Sequence, residues 1–191
     1  MRAVPPYFIK PDRESLLTHF RSIAKSVSIP LYVYNIPRNA LNAVTPEMIL
    51  DLMETPNIRG VKDSSRDFIN VLNYLRVLPE DFSVICGTDS YIYPAMVMGA
   101  KGAITGYANG FPHIYAEFIK IIREGDVNAA RDMQWNINVL RDNLQKPPLA
   151  SHYEALRLRG VDAGVPRAPL RGMTEDEKTD LRKRLNALGV L

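Results

Sequence analysis

Cysteine is almost absent from this sequence. Cys86 is the single cysteine among the 191 residues, which excludes an internal disulfide framework and is typical of a protein of the reducing cytoplasm. We therefore predict a cytoplasmic location. The thiol stands in the apolar run 82–86. Because free cysteine is among the most buried residue types, we expect Cys86 to be buried and unreactive.

Three further absences narrow the function. No apolar run approaches the ~20 residues that a membrane-spanning helix needs, and the first residues do not form a signal peptide. The net charge of +3 is small and basic residues alternate with acidic ones, so the electrostatic footprint of a nucleic-acid-binding protein is missing. His19, His113 and His152 lack the spacing of metal ligands. We predict a small-molecule substrate, and no metal, membrane or nucleic acid.

Strands and helices alternate over residues 1–125. Apolar strands are predicted at 3–8, 31–34, 58–62, 82–86 and 102–106, with a helical segment after each. Asp12 can cap the first helix, and Thr45-Pro46 begins the second. Links of this length between unbroken apolar strands favour an α/β fold with a parallel sheet and helices packed outside it.

From residue 126 onward the pattern is helical alone. Three helical segments are predicted at 126–144, 149–159 and 174–188, with a connector rich in glycine and proline at 160–172. Thr174 and Glu177 form a capping box at the start of the last segment. We therefore divide the chain into a β/α part over 1–125 and a helical extension over 126–191.

One predicted strand ends in a lysine, Lys62, within the stretch 58–65. In barrels and open parallel sheets the chemistry lies at the carboxyl ends of the strands. Burial there disfavours an ammonium group and leaves an amine that can form a Schiff base with a carbonyl. Tyr34 ends the preceding strand, and its phenol can transfer protons during that reaction. The alternatives are a solvated Lys62 and a Tyr34 that only packs its ring.

Five motifs occur in the order and spacing of one family, which the chain resembles: the class I pyruvate aldolases typified by dihydrodipicolinate synthase and N-acetylneuraminate lyase. They are Val4–Phe8, Tyr34–Pro37, Gly60–Asp63, Gly87–Asp89 and Gly102–Thr105. Tyr34 precedes Lys62 by 28 residues, as the family's proton-shuttling tyrosine precedes its Schiff-base lysine. The tail motifs 167–170 and 174–175 are also similar.

The resemblance implies a (β/α)8 TIM barrel followed by three helices, assembled as a homodimer or homotetramer. Lys62 would bind the ketone of pyruvate or another 2-oxo acid, and Tyr34 would shuttle protons. Ile104 would place backbone groups near bound pyruvate, and Tyr7 is a further substrate-binding candidate at a strand end. The resemblance implies no cofactor, because the protonated imine is itself the electron sink.

The match is incomplete at the amino-terminal side. The family's barrel begins roughly 100 residues before Met1, so this chain is expected to supply about strands 4–8. The family's loop that holds the pyruvate carboxylate has no counterpart in the chain. An open wall of five strands would expose strand edges, so the sequence is a fragment, or another chain supplies strands, or closure differs.

Two positions bear on the second substrate. Asn39 stands where the synthases carry an arginine that binds a carboxylate, and Arg38 lies one residue earlier. Phe8 lacks the hydroxyl that the synthases use between subunits. These departures favour a lyase or aldolase for a 2-keto-3-deoxy sugar acid. Dihydrodipicolinate synthase proper, and an inactive homologue that serves as an oligomerisation or binding module, remain the alternatives.

Overall fold

The computed structural model describes residues 1–191. Its five strands are β1 (Arg2–Ala3), β2 (Leu31–Asn35), β3 (Ile58–Asp63), β4 (Ser83–Cys86) and β5 (Gly102–Ala103). Its helices are α1 (Arg13–Lys25), α2 (Pro37–Ala40), α3 (Pro46–Leu52), α4 (Phe68–Val77), α5 (Ile92–Val97), α6 (Pro112–Glu124), α7 (Val127–Asn143), α8 (Ala150–Leu158) and α9 (Glu175–Ala187). Short 3₁₀ turns occur at Asp89–Tyr91 and Tyr107–Asn109.

The five strands form one parallel sheet in the order β1-β2-β3-β4-β5. The predicted α/β class and parallel sheet are confirmed. Each strand pairs with the next strand in the chain, so every crossover between neighbours carries helical segments. Right-handed crossovers are the rule for parallel strands, and they place the helices that connect these strands on one face of the sheet.

The first and last strands are shorter than predicted. The strand expected at 3–8 is limited to Arg2–Ala3, because Pro5 and Pro6 have no amide hydrogen to donate to a sheet. The strand expected at 102–106 is limited to Gly102–Ala103, which pairs only with β4. The central strands β2, β3 and β4 match the predicted segments within one residue at each end.

The chain divides into two compact units, Met1–Ile104 and Thr105–Leu191. In the first, apolar side chains of the strands and of α1 and α3 form the core, with Phe20, Val33, Ile49 and Val61 fully buried. In the second, the core joins the start of α6 to α7, α8 and α9 through Phe111, Leu140, Leu144, Ala155, Leu181 and Leu185. The division of the barrel from a helical extension at residue 125 stays a prediction.

The helix starts follow the predicted capping chemistry. Asp12 Oδ1 accepts a hydrogen bond from Ser15 N at 2.8 Å, and Thr45 Oγ1 accepts one from Met48 N at 3.4 Å. Both halves of the capping box at Thr174 and Glu177 are present. None of the helices combines the length and the apolar character that crossing a membrane requires.

Candidate active site

The register of the central strands places Tyr34 and Lys62 side by side. Tyr34 of β2 pairs with Lys62 of β3, which in turn pairs with Ile85 of β4. Neighbours in register share a face of the sheet and successive residues alternate between faces. Tyr34, Lys62 and Ile85 therefore point to one face. Val33 and Val61 point to the other face, where the helices pack.

The amine of Lys62 lies against the ring of Tyr34. Lys62 is 6% exposed, and its Nζ is 3.9 Å from the centroid of the Tyr34 ring. An ammonium held this close to an aromatic face is stabilised by the ring quadrupole, by about 2 kcal/mol when the pair is desolvated. The alternative of a solvated Lys62 is therefore wrong for this structure, and the lysine is held beside the phenol.

The phenol of Tyr34 responds to this neighbour. Burial by itself raises the pKa of Tyr34, but the hydrogen-bonding interactions of Lys62 and Ser64 and the charge of Lys62 outweigh it. The net effect is that the pKa of Tyr34 is lowered from its usual value. A lowered pKa makes the phenol a better proton donor and brings it closer to the range in which it can exchange protons.

Two glycines leave space for neighbouring side chains, and one of them lies beside Lys62. A Cβ at Gly87 would lie 2.8 Å from Lys62 Cε and 2.6 Å from the Asp63 carbonyl oxygen, and would also overlap Ser64 Oγ. A Cβ at Gly60 would overlap the ring of Tyr32. The side chain of Lys62 thus occupies space that only a glycine at position 87 leaves free.

The other predicted site residues lie on more exposed segments. Tyr7 is 72% exposed, and Arg38 and Asn39 are exposed on the short helix α2. Ile104 follows β5, and its N–H donates to the Cys86 carbonyl oxygen at 2.9 Å, which commits this amide to the sheet. The structure therefore joins Lys62 and Tyr34 directly, whereas the substrate-binding roles of Tyr7, Arg38, Asn39 and Ile104 stay predictions.

Ser64 is a site residue that sequence reasoning left without a role. Its Oγ donates to the Gly87 carbonyl oxygen at 3.2 Å, and its side chain also acts on the phenol of Tyr34. It stands two residues after Lys62, which is the spacing that returns a side chain to the same side of an extended chain. That spacing is the signal that could have identified it.

Cys86 is buried, as predicted. Burial raises the pKa of its thiol to about 12, and the thiol donates to the Thr88 carbonyl oxygen at 3.3 Å. A thiol in this state does not act as a nucleophile at neutral pH. The structure has no cluster of three or more His, Cys, Asp or Glu side chains placed to hold a metal ion.

The coupling of Tyr34 to Lys62 predicts the effect of Lys62→Met on titration. Removing the ammonium leaves burial in place, so the pKa of Tyr34 should rise and its phenolate should form only at higher pH. Titration of ring-labelled tyrosine by ¹³C NMR measures the pKa of Tyr34, and the variant Tyr34→Phe assigns its signal. Lys101→Met, at an exposed lysine, is the matched control. A Tyr34 pKa unchanged in Lys62→Met would contradict the coupling.

The close contacts at Gly87 predict that replacing it with alanine destabilises the fold, whereas the same change at Gly102 does not. Gly87→Ala should cost about 1–3 kcal/mol in the free energy of unfolding, because the added methyl group overlaps the backbone and Lys62. Gly102→Ala, whose added Cβ has no heavy atom within 4 Å, should change it by less than about 0.5 kcal/mol. Denaturant unfolding compares the two. Equal stability of both variants would rule out the packing role of Gly87.

Comparison with known proteins supplies the family. A model of the dihydrodipicolinate synthetase family matches residues 1–188. A 4-hydroxy-tetrahydrodipicolinate synthase of Archaeoglobus fulgidus is 34% identical over 190 residues, which are 98% of this chain and 65% of that relative. This chain therefore spans about 65% of the length of the relative it matches.

Two solved structures are similar to this chain over almost its whole length. Dihydrodipicolinate synthase of Bacillus anthracis superimposes with a TM-score of 0.91 at 28% identity, covering 97% of this chain and 64% of the other. YagE, a prophage protein of Escherichia coli K12 in complex with pyruvate, gives a TM-score of 0.91 at 25% identity, covering 100% of this chain and 66% of the other. On the strength of the family match over residues 1–188, the chain belongs to the dihydrodipicolinate synthetase family.

Proposed function

We propose that this chain carries the Schiff-base site of a pyruvate-dependent lyase or aldolase. The observation that carries the proposal is the buried Lys62 amine, 3.9 Å from the Tyr34 ring at the carboxyl ends of two adjacent parallel strands. The pyruvate complex of the similar protein YagE supports pyruvate as the first substrate. Lys62 is the nucleophile in this proposal and Tyr34 is the proton shuttle.

The proposed reaction begins once the Lys62 ammonium has given up a proton, when the free amine attacks the C2 carbonyl of pyruvate. The carbinolamine loses water, and Tyr34 supplies the proton that the departing hydroxyl needs. The resulting protonated imine draws electrons from C3, so the Tyr34 phenolate takes a proton from C3 and an enamine forms. The enamine carbon then bonds to the carbonyl carbon of an aldehyde, whose oxygen receives the proton from Tyr34. Water adds to the imine that remains, and its hydrolysis frees Lys62. This sequence needs neither a metal nor an organic cofactor.

The five strands are, in this proposal, about strands 4–8 of a (β/α)8 barrel. Support comes from the sequential parallel order of the strands and from the superposition over 64% of the Bacillus anthracis synthase. The face that carries Tyr34 and Lys62 would then be the barrel interior. The helix-covered face, with Val33 and Val61, would be the outer layer of the barrel wall.

For the second substrate we favour the aldehyde released from a 2-keto-3-deoxy sugar acid. Asn39 stands in place of a cationic side chain, and Arg38 precedes it on α2. A neutral amide is suited to hydroxyl groups, whereas a carboxylate is better matched by a guanidinium. The synthase reaction is the second candidate, favoured by the 34% identical relative from Archaeoglobus fulgidus. Turnover assays with the two kinds of aldehyde distinguish them.

Trapping with pyruvate and borohydride tests the Schiff base. Borohydride reduces the imine to a stable secondary amine, so mass spectrometry should find the adduct on the peptide that contains Lys62. Lys62→Ala should abolish the adduct, and Tyr34→Phe should slow its formation by about 10²–10⁴-fold. Lys101→Ala, at an exposed lysine, should leave it unchanged. An undiminished adduct in Lys62→Ala would refute the assignment, and its absence from the folded native chain would favour an inactive binding module.

A second copy of this chain is the partner we propose, through the loop Tyr7–Ile9. Phe8 is 87% exposed and has a φ of 78°, in the left-handed region. Asn42 Nδ2 donates to the carbonyl oxygens of Pro6 and Ile9, each at 2.7 Å, and so holds both ends of the loop. Aromatic residues are enriched in interfaces between proteins, so an exposed ring on an ordered loop is a candidate for a contact between subunits.

Phe8→Asp tests this contact. Aspartate tolerates left-handed φ, so the substitution changes the surface and leaves the loop backbone in place. The native chain should sediment as a dimer or tetramer, and Phe8→Asp should shift it toward the monomer. Val161→Asp, at an exposed apolar residue of the connector, is the control. If Phe8→Asp sediments like the native chain, this loop is not the interface.

A further inference from the structure

A buried polar pair lies directly behind Tyr34 and Lys62. The residues that follow them in the chain, Asn35 and Asp63, pair in register on β2 and β3 and are 1% and 0% exposed. Asn35 Nδ2 donates to Asp63 Oδ2 at 2.7 Å. Because side chains alternate along a strand, this pair points to the opposite face from Tyr34 and Lys62.

The pair is the centre of a connected hydrogen-bond network. Asp63 Oδ1 accepts from Ser65 N at 3.1 Å and from Ser65 Oγ at 2.6 Å. Asp63 Oδ2 also accepts from Asn70 Nδ2 of α4 at 2.8 Å. Asn35 Oδ1 accepts from Val44 N, ahead of α3, at 3.0 Å. One carboxylate and one amide thus join β2 and β3 to the segments that begin α3 and α4.

A buried carboxylate is a costly group, and at this place its hydrogen bonds offset the cost. Burying a charge costs free energy, but apolar side chains in its place would leave the Val44 and Ser65 amides without acceptors. Hydrogen bonds, unlike apolar contacts, fix both distance and direction. The network therefore restricts the relative position of β2 and β3 more tightly than apolar packing would.

The backbone transmits this constraint to the site. Ser64 N donates to the Asn35 carbonyl oxygen at 2.8 Å, and Gly87 N donates to the Asp63 carbonyl oxygen at 2.7 Å. The side chain of Ser64 acts on the phenol of Tyr34, and Gly87 lies against the aliphatic stem of Lys62. A displacement of Asp63 would thus reach the phenol and the amine together.

We propose that Asp63 is a positioning residue that, through Asn35, sets the separation of the Lys62 amine and the Tyr34 phenol. This inference rests on the proposed function of Lys62 and Tyr34. Neither Asp63 nor Asn35 touches the reacting atoms. Errors of about 1 Å in the placement of reacting groups can lower a rate about a hundredfold, which is the reason to hold them with directional bonds.

The test exchanges the two polar groups. Asp63→Asn alone weakens the network, because the introduced amide cannot accept at both of its ends. The double variant Asn35→Asp/Asp63→Asn restores a donor opposite an acceptor between the strands and keeps the total charge. The Val44 and Ser65 amides still meet oxygen acceptors, and Asn70 can turn its amide to present its oxygen.

Two measurements distinguish a positioning role of Asp63 from a role in stability alone and from a direct role in catalysis. The first is the pKa of Tyr34 by ¹³C NMR, which needs no activity. The side chains of Lys62 and Ser64 both lower the pKa of Tyr34, so a rise in that pKa reports that the phenol has moved away from one or both of them. The second is the rate of borohydride trapping at saturating pyruvate.

Asp63→Asn should raise the pKa of Tyr34 and slow trapping about ten- to a hundredfold, and the double variant should reverse both. Asn70→Ala, which removes one bond to Asp63 and leaves the strand pair intact, should have a smaller effect in the same direction. It also provides the test if the exchanged variants do not fold. Folded Asp63→Asn with an unchanged Tyr34 pKa would overturn the proposal. Failure of the native chain to be trapped would instead count against the proposed function, and the NMR comparison would still decide the positioning role.

Discussion

The register between β2 and β3 is the constraint on which the site depends. In this register Tyr34 lies opposite Lys62, and Val33 lies opposite Val61 within the core. A slip of one residue would turn the lysine toward the helices and expose a valine, so burial of the apolar face selects the register. The same packing that stabilises the sheet therefore places the Lys62 amine beside the Tyr34 phenol.

A buried lysine is an unfavourable group that the surrounding structure must accommodate. The ring of Tyr34 supplies an electrostatic partner, and the missing side chain at Gly87 supplies space. Asp63 places a buried negative charge on the next residue, where four hydrogen bonds from Asn35, Ser65 and Asn70 satisfy it. The pair of Tyr34 and Lys62 is thus supported from the opposite face of the sheet by Asp63 and its hydrogen-bond partners.

Sequence reasoning recovered the parts of this arrangement that depend on local signals. The alternation of strands and helices, the helix caps and the Tyr34/Lys62 spacing are encoded in nearby residues, and the parallel sheet and the capping box at Thr174 are as predicted. The short outer strands were not predicted. The effect of Pro5 and Pro6 on β1 outweighed the apolar character of the segment.

Contacts between segments that are distant in the chain could not be predicted from the sequence. The fit of Gly87 against Lys62 and the bond between Asn35 and Asp63 join separate strands, and their geometry follows from the register. Arg38 and Asn39 lie on the short helix α2, which begins at Pro37. The identity of a second substrate depends on such placements, which local pattern does not determine.

The most direct test of the central claim is an NMR measurement of the bond between pyruvate and Lys62. Protein labelled with ¹⁵N at the lysine side chains is mixed with [2-¹³C]pyruvate. If the amine beside Tyr34 forms the imine, the labelled carbon should show a one-bond coupling to a single lysine nitrogen, and Lys62→Arg should remove it. A coupling that persists in Lys62→Arg, or a native chain whose pyruvate carbon stays uncoupled, would contradict the account.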